Sequence, residues 1–155
     1  MTATDTFTIE RTTTIDAPAA TVYGLLADFH QWARWSPWED IDPQMQRTFS
    51  GAESGEGAVY EWAGNRKAGA GRMEITDASE AAVVTIDLRF LKPFKAHNTT
   101  TFTLTEDGGT TAVSWTMTGA KTLMTKVMGI FKSMDAMIGP DFEKGLAQLK
   151  AATEG

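Results

Sequence analysis

The sequence predicts an α+β fold in which a curved antiparallel sheet wraps around a long C-terminal helix. Beyond Met124, apolar residues recur at intervals of three and four, which keeps them on one face of a helix. Between about Tyr60 and Thr118, apolar and polar residues instead alternate, as they do in half-buried strands. No helical pattern separates these strands, so we expect them to pair antiparallel.

Composition indicates one globular domain spanning residues 1–155. Hydrophobic residues make up 42% and charged residues 22% of the chain, enough for a core without crosslinks. With no cysteine, neither disulfides nor thiolate metal sites are possible. A formal charge of −6 is unsuited to nucleic acid. No apolar run reaches the length of a membrane span, and the polar N-terminus does not resemble a signal peptide, so we expect a cytoplasmic protein.

The strands are bounded by turn residues, as in Ser54-Gly55-Glu56-Gly57 and Asp107-Gly108-Gly109. We expect a sheet of six or seven strands. The candidates are residues 7–15, 44–50, 57–63, 71–76, 81–90, 97–105 and 110–118.

Two short helices are expected after the first strand. Asp16-Ala17-Pro18 marks a helix start, because a proline in the first turn costs no hydrogen bond. The buried face of that helix would carry Val22, Leu25, Leu26 and Phe29. The stretch from Trp32 to Trp35 either continues this helix or begins a second one, and Ser36-Pro37 ends it.

Gly139-Pro140 interrupts the C-terminal helical pattern. Proline removes one backbone hydrogen bond and clashes with the carbonyl four residues back, so we expect a kink or a break near Ala136. The methionine-rich segment before it contains Gly129, and glycine costs a helix about 1 kcal/mol relative to alanine. We therefore expect residues 121–137 to form a movable cover, less stable than residues 142–149.

Four segments carry a resemblance to a known family. They are Ile15-Asp16-Ala17-Pro18-Ala19, Trp35-Ser36-Pro37-Trp38, Tyr60-Glu61-Trp62-Ala63-Gly64-Asn65 and residues 134–146. With the order of elements, they resemble the helix-grip fold of the START-like (SRPBCC) superfamily, which includes polyketide cyclases and lipid-transfer domains, and they look like one bacterial branch of it. The resemblance implies the fold. It implies no catalytic residue, because members of the superfamily carry ligands, bind partner proteins or catalyse cyclisation.

Alternation predicts which side chains face the inside of the sheet. His97 points outward, whereas Asn98 and Thr100 point inward with the apolar residues of their strand. Together with the aromatic and methionine residues outside the strands, the inward positions define a candidate ligand-binding set. It comprises Trp35, Trp38, Tyr60, Trp62, Met73, Phe90, Asn98, Thr100, Phe102, Trp115, Met117, Met128, Phe131, Met134 and Ile138.

Each member of this set has a second interpretation. The tryptophans and methionines can pack an ordinary core, although methionine also suits adaptable binding surfaces. Asn98, Thr100, Tyr60 and Arg11 can bond backbone or buried water, or they can orient a ligand in a mostly apolar pocket.

No catalytic, metal or cofactor site is predicted. His30 and His97 accompany no nucleophile motif. The loop that carries Glu39, Asp40 and Asp42 lacks the glycine and spacing of a calcium loop. The glycines of residues 51–57 precede a strand rather than the helix that a phosphate site needs.

We therefore expect a domain that binds a small apolar or amphipathic molecule between sheet and helix, without catalysis. Two alternatives stay open. One is an enzyme of the polyketide cyclase/dehydratase kind, in which Tyr60, Asn98 and Arg11 polarise a carbonyl or shuttle protons. The other is a protein-interaction module with a protein partner, resembling the ATPase activators of heat-shock chaperones. An enzyme should show an acid or base in the cavity, and an interaction module an exposed apolar patch.

Overall fold

The computed structural model describes residues 6–36, 44–64, 69–92, 96–120 and 134–154. The strands are β1 (Thr6–Ile15), β2 (Gln46–Gly51), β3 (Ala58–Ala63), β4 (Ala70–Ser79), β5 (Val83–Lys92), β6 (Ala96–Asp107) and β7 (Thr110–Ala120). The helices are α1 (Ala19–Leu26), a 3₁₀ helix (Phe29–Arg34) and α2 (Met134–Glu154). This order confirms the predicted α+β helix-grip fold. None of the described helices is long and apolar enough to cross a membrane.

The strands form one antiparallel sheet in the order β1-β7-β6-β5-β4-β3-β2. The chain leaves β1, passes through α1 and the 3₁₀ helix to β2 at the far edge, and returns by hairpins until β7 pairs with β1. The described residues form seven strands, the larger of the two predicted numbers. Parallel strands would need crossover helices between them, and the short turns here leave no room for any.

The predicted alternation of inward-facing and outward-facing side chains is present across the centre of the sheet. Phe102 of β6 lies between Val84 of β5 and Trp115 of β7, and all three are buried. In the next row, Thr100 lies between Ile86 and Met117. We call the face that carries these residues the inner face.

Two tryptophans attach the 3₁₀ helix to the end of α1. The indole Nε1 of Trp32 donates to the carbonyl of Leu26 at 3.0 Å, and that of Trp35 donates to the carbonyl of Leu25 at 2.9 Å. These bonds satisfy carbonyls that a helix end leaves without partners. The second predicted short helix is therefore present, in 3₁₀ form.

Helix α2 runs alongside β1 in the same direction. Lys150 Nζ donates to the carbonyl of Thr14 at 2.8 Å, and Arg11 Nε donates to Glu143 Oε2 at 2.8 Å. Between these contacts the helix advances seven residues and the strand three, roughly 10 Å in each case at about 1.5 Å and 3.3 Å per residue. By the same measure, the backbone of residues 134–138 runs beside the first half of β1.

The helix is unbroken from Met134 to Glu154, with Pro140 inside it. The predicted alternative of a break near Ala136 is therefore wrong. Phe142, Leu146 and Leu149 are buried, and burial of such side chains contributes about 1.5–3 kcal/mol each. Together they outweigh the cost of about 3 kcal/mol that an interior proline imposes. Residues 121–133, most of the predicted cover, lie outside the described residues, as do Trp38, Met128 and Phe131.

Candidate ligand-binding site

One end of the inner face is filled by an aromatic cluster of Trp35, Phe102, Trp115 and Phe142. Each ring is at most 1% exposed. Trp115 lies 4.9 Å from Phe102 and 5.6 Å from Trp35, measured between ring centroids, and stacks on Phe142 at 4.0 Å. Trp115 stacks face to face on Phe142, whereas Trp35 meets Phe102 and Trp115 edge to face. The three cluster members in the predicted ligand-binding set therefore lie in a closed, packed part of the inner face.

The other end of the inner face is lined mainly by aliphatic and aromatic side chains. One row runs across four strands as Tyr60, Met73, Leu88 and Asn98. Trp62, Met73 and Phe90 are only partly buried, so apolar surface remains exposed at this end. We call this region the inner site; its members are Tyr60, Trp62, Met73, Ile86, Leu88, Phe90, Asn98, Thr100 and Met117.

Two polar side chains are buried in the inner site. Thr100 is 4% exposed, and its Oγ1 is fully buried without a hydrogen-bond partner. Asn98 is 7% exposed. A buried polar group without a partner costs about 1–3 kcal/mol. Both residues are in the predicted set, and the structure places them side by side on β6, at 98 and 100.

A glycine shapes the partly buried rim of the inner site. A Cβ built on Gly71 would overlap the ring of Trp62 and stand 2.6 Å from the carbonyl oxygen of Arg89. The absence of a side chain at 71 lets the indole lie against β4. The ring then meets Phe90 at 5.9 Å and Tyr60 at 6.3 Å, both edge-to-face.

Arg11 lies against α2 at the β1 edge. Its Nε bonds Glu143, its Nη1 donates to the carbonyl of Glu10 at 2.8 Å, and its guanidinium occupies the space that a side chain at Gly139 would need. The backbones of Tyr60 and Asn98 are three strands apart, about 14 Å, and Arg11 lies two strands beyond Asn98. The three residues of the enzymatic alternative are therefore spread across the sheet.

His97 points outward, as predicted. Its Nε2 is hydrogen-bonded to Asp87 Oδ1, and Arg89 Nε donates to Asp87 Oδ2 at 2.8 Å. Partial burial acts to raise the pKa of Asp87, but the hydrogen bonds from His97 and Arg89 outweigh it and hold that pKa below its usual value. This trio lies on the outer face, across the sheet from the inner site.

A separate surface pocket of about 410 Å³ lies between the 3₁₀ helix and the β2–β3 hairpin. It is lined by Asp28, Phe29, His30, Phe49, Ser50, Gly51, Ala52, Glu53, Ala58 and Val59. The imidazole of His30 stacks on Phe49 at 4.3 Å, and Phe49 and Phe29 both contact Tyr60. Sequence reasoning missed this pocket. Strand alternation places Phe49 on the inner face but does not reveal that β2 is an edge strand, which leaves the ring 38% exposed.

The described residues contain no group of three His, Asp or Glu side chains that could hold a metal ion. The acidic loop with Glu39, Asp40 and Asp42 lies outside the described residues.

The fold is that of an SRPBCC-type helix-grip domain. Residues 6–154 match the family described as "Polyketide cyclase / dehydrase and lipid transport", and the chain belongs to that family. The resemblance noted from the sequence is thereby confirmed. No curated protein matches the chain.

Solved structures agree on the fold. Protein CV1439 from Chromobacterium violaceum has a TM-score of 0.67 at 16% identity, over 96% of this chain and 98% of that one. The di-domain ARO/CYC BexL from the BE-7585A biosynthetic pathway has a TM-score of 0.68 at 18% identity, and the match covers 97% of this chain but 51% of BexL. The Aha1 dimer from Colwellia psychrerythraea has a TM-score of 0.64 at 16% identity, over 96% of both chains. At such identities the likeness is one of fold alone.

Proposed function

We propose that this domain binds a small, mostly apolar molecule in the inner site, beneath the N-terminal part of α2, and does not convert it chemically. The observation that carries the proposal is the buried hydroxyl of Thr100, which has no hydrogen-bond partner, with the buried side chain of Asn98 two residues away on the same strand. A core built only for stability would gain from valine at position 100, which has the same shape and no unsatisfied oxygen. A ligand that bonds these groups explains why they are polar.

The surroundings of the pair fit such a ligand. Small-molecule sites are mostly apolar, with a few polar groups that fix orientation. Here, Ile86, Leu88 and Met117 are buried beside the pair, and the aromatic cluster closes one end. Trp62, Met73 and Phe90 keep exposed apolar surface at the other end. We propose that Trp38, Met128, Phe131, Met134 and Ile138 complete the opposite wall.

The two alternatives have less support. The residues of the enzymatic alternative, Tyr60, Asn98 and Arg11, lie on β3, β6 and β1. These strands are not neighbours in the sheet. For an interaction module, the exposed large apolar side chains in the described part of the chain are Phe49 and Leu91. They lie on β2 and β5, which are separated by two strands, so they do not form one patch.

A neutral apolar dye tests the proposal. N-phenyl-1-naphthylamine should bind the folded protein saturably, with a gain in fluorescence. Met117→Trp should weaken dye binding at least about tenfold, or 1.4 kcal/mol, because the larger ring takes up space in the inner site that the dye needs. The matched control is Thr118→Trp, at an exposed outward position of the same strand, and should leave the affinity unchanged. No saturable binding, or equal loss in both variants, would contradict the proposal.

A further inference from the structure

We infer that the buried end of the ligand carries an uncharged hydrogen-bonding group, such as a ketone, hydroxyl or amide, and not a carboxylate or phosphate. The inference rests on the proposed function and adds the class of ligand. The side chains around Thr100 and Asn98 determine which kind of ligand group can bind beside these two residues.

The immediate surroundings of the pair are uncharged. Thr100 has Ile86 on one side and Met117 on the other, in register across β5, β6 and β7. Asn98 has Leu88 on one side and Gly119 on the other. These four neighbours are buried, so on the sheet side a ligand group beside the pair contacts hydrocarbon and backbone.

Two inward-facing cations lie at the two edges of the sheet. Arg11, on β1, is held by Glu143 at 2.8 Å. Arg47, on β2, faces Trp62 and donates to the carbonyl of Met45 at 3.3 Å. A carboxylate beside Thr100 would therefore find no countercharge among the side chains that the structure describes next to it, and burying it so is far costlier than burying a neutral oxygen that is hydrogen-bonded.

Thr100 and Asn98 are suited to a neutral partner. A hydroxyl and a primary amide each donate and accept, but neither carries charge. Their Cα atoms are two residues apart on one strand, about 6.6 Å, so one ligand oxygen, or two neighbouring ones, can bond both side chains. Gly119, opposite Asn98 on β7, places no side chain beside the amide of Asn98.

Matched ten-carbon ligands test the inference. Displacement of N-phenyl-1-naphthylamine is measured with 2-decanone, 1-decanol and decanoate at pH 8, where the acid is ionised. We expect the ketone and the alcohol to bind at least about tenfold more tightly than decanoate, since an unpaired buried charge costs more than the 1.4 kcal/mol that tenfold represents.

The Thr100→Val variant tests whether the preference for an uncharged ligand group comes from a hydrogen bond to Thr100. It should lose about two- to tenfold in affinity for 2-decanone relative to its affinity for the dye, the range expected for one neutral hydrogen bond. The outward variant Thr103→Val should lose nothing. Retention of ketone affinity in Thr100→Val overturns the inference, as does equal or tighter binding of decanoate. Both of these results leave the proposed function standing, whereas failure of the dye and all three ligands to bind wild type overturns both.

Discussion

The indole of Trp115 and the ring of Phe142 lie parallel, 4.0 Å apart with 7° between their planes. This stack joins β7 to α2. Because both rings are completely buried, the contact holds the helix on the sheet at the closed end of the inner site.

Phe142→Ala should cost about 3–5 kcal/mol of unfolding free energy, the usual loss for a buried aromatic side chain. Urea unfolding followed by circular dichroism measures it. The control is Lys144→Ala, exposed on the same helix, which should change stability by less than about 0.5 kcal/mol. A loss below 1 kcal/mol for Phe142→Ala would show that the stacked pair does not anchor α2.

Thr100→Val should stabilise the protein. The change removes a buried oxygen that lacks a partner and keeps the shape of the side chain, so we expect a gain of about 1 kcal/mol. In a chain of this size that corresponds to a rise of about 2–4 °C in Tm. Thr103→Val, at an exposed position of the same strand, should stay within about 0.5 kcal/mol of wild type. A destabilised Thr100→Val variant would mean that the hydroxyl is already satisfied in the free protein.

Arg11 and Gly139 should be energetically coupled. Alanine in place of a helical glycine normally stabilises by about 1 kcal/mol, but a methyl group at 139 would displace the Arg11 guanidinium from Glu143. Gly139→Ala should therefore stabilise less in wild type than in an Arg11→Met background. Urea unfolding of the four proteins should give a coupling energy of about 0.5–1 kcal/mol. Additive effects of the two changes would contradict the contact.

The stability of the outer face should depend on pH through Asp87. Burial alone would raise the pKa of Asp87, but hydrogen bonds from His97 and Arg89 leave it lowered. The unfolded chain therefore takes up the proton at a higher pH, near 3.9. The stability that this group contributes is complete above about pH 4 and is lost as the pH falls through the lower, folded pKa.

The measurement is urea unfolding at pH 7 and pH 3. Asp87→Asn should have a lower free energy of unfolding than wild type at pH 7. The difference between the two proteins should be smaller at pH 3. Asp77→Asn changes an exposed carboxyl of the neighbouring strand β4 and should show no such narrowing. If wild type and Asp87→Asn differ in unfolding free energy as much at pH 3 as at pH 7, the ionised carboxylate of Asp87 is not what stabilises the wild-type protein.

Alternation could predict the inner face because a strand turns every second side chain to the same side. It therefore placed Asn98, Thr100, Phe102 and Trp115 inward and His97 outward. It could not divide the inward residues into a closed end and an open site. That division depends on Trp35 and Phe142, which reach the sheet from distant parts of the chain.

Long-range partners could not be predicted for the same reason. Arg11 meets Glu143 across 132 residues, and no local pattern indicates that pairing. The alternative of a break near Ala136 was wrong because local propensity omits the packing of Phe142, Leu146 and Leu149 that keeps the helix intact. Phe49 was overlooked since a strand's pattern does not say whether it lies at the edge of the sheet.

The central claim, that the ligand site is the inner site, is tested most directly by NMR of protein labelled at Ile, Leu, Val, Met and Thr methyl groups, with 2-decanone added. We predict intermolecular NOEs from the ketone to the methyl groups of Ile86, Leu88 and Met117, and to that of Thr100. NOEs confined to the methyl groups of Val59, in the surface pocket, would place the ligand elsewhere and contradict the claim.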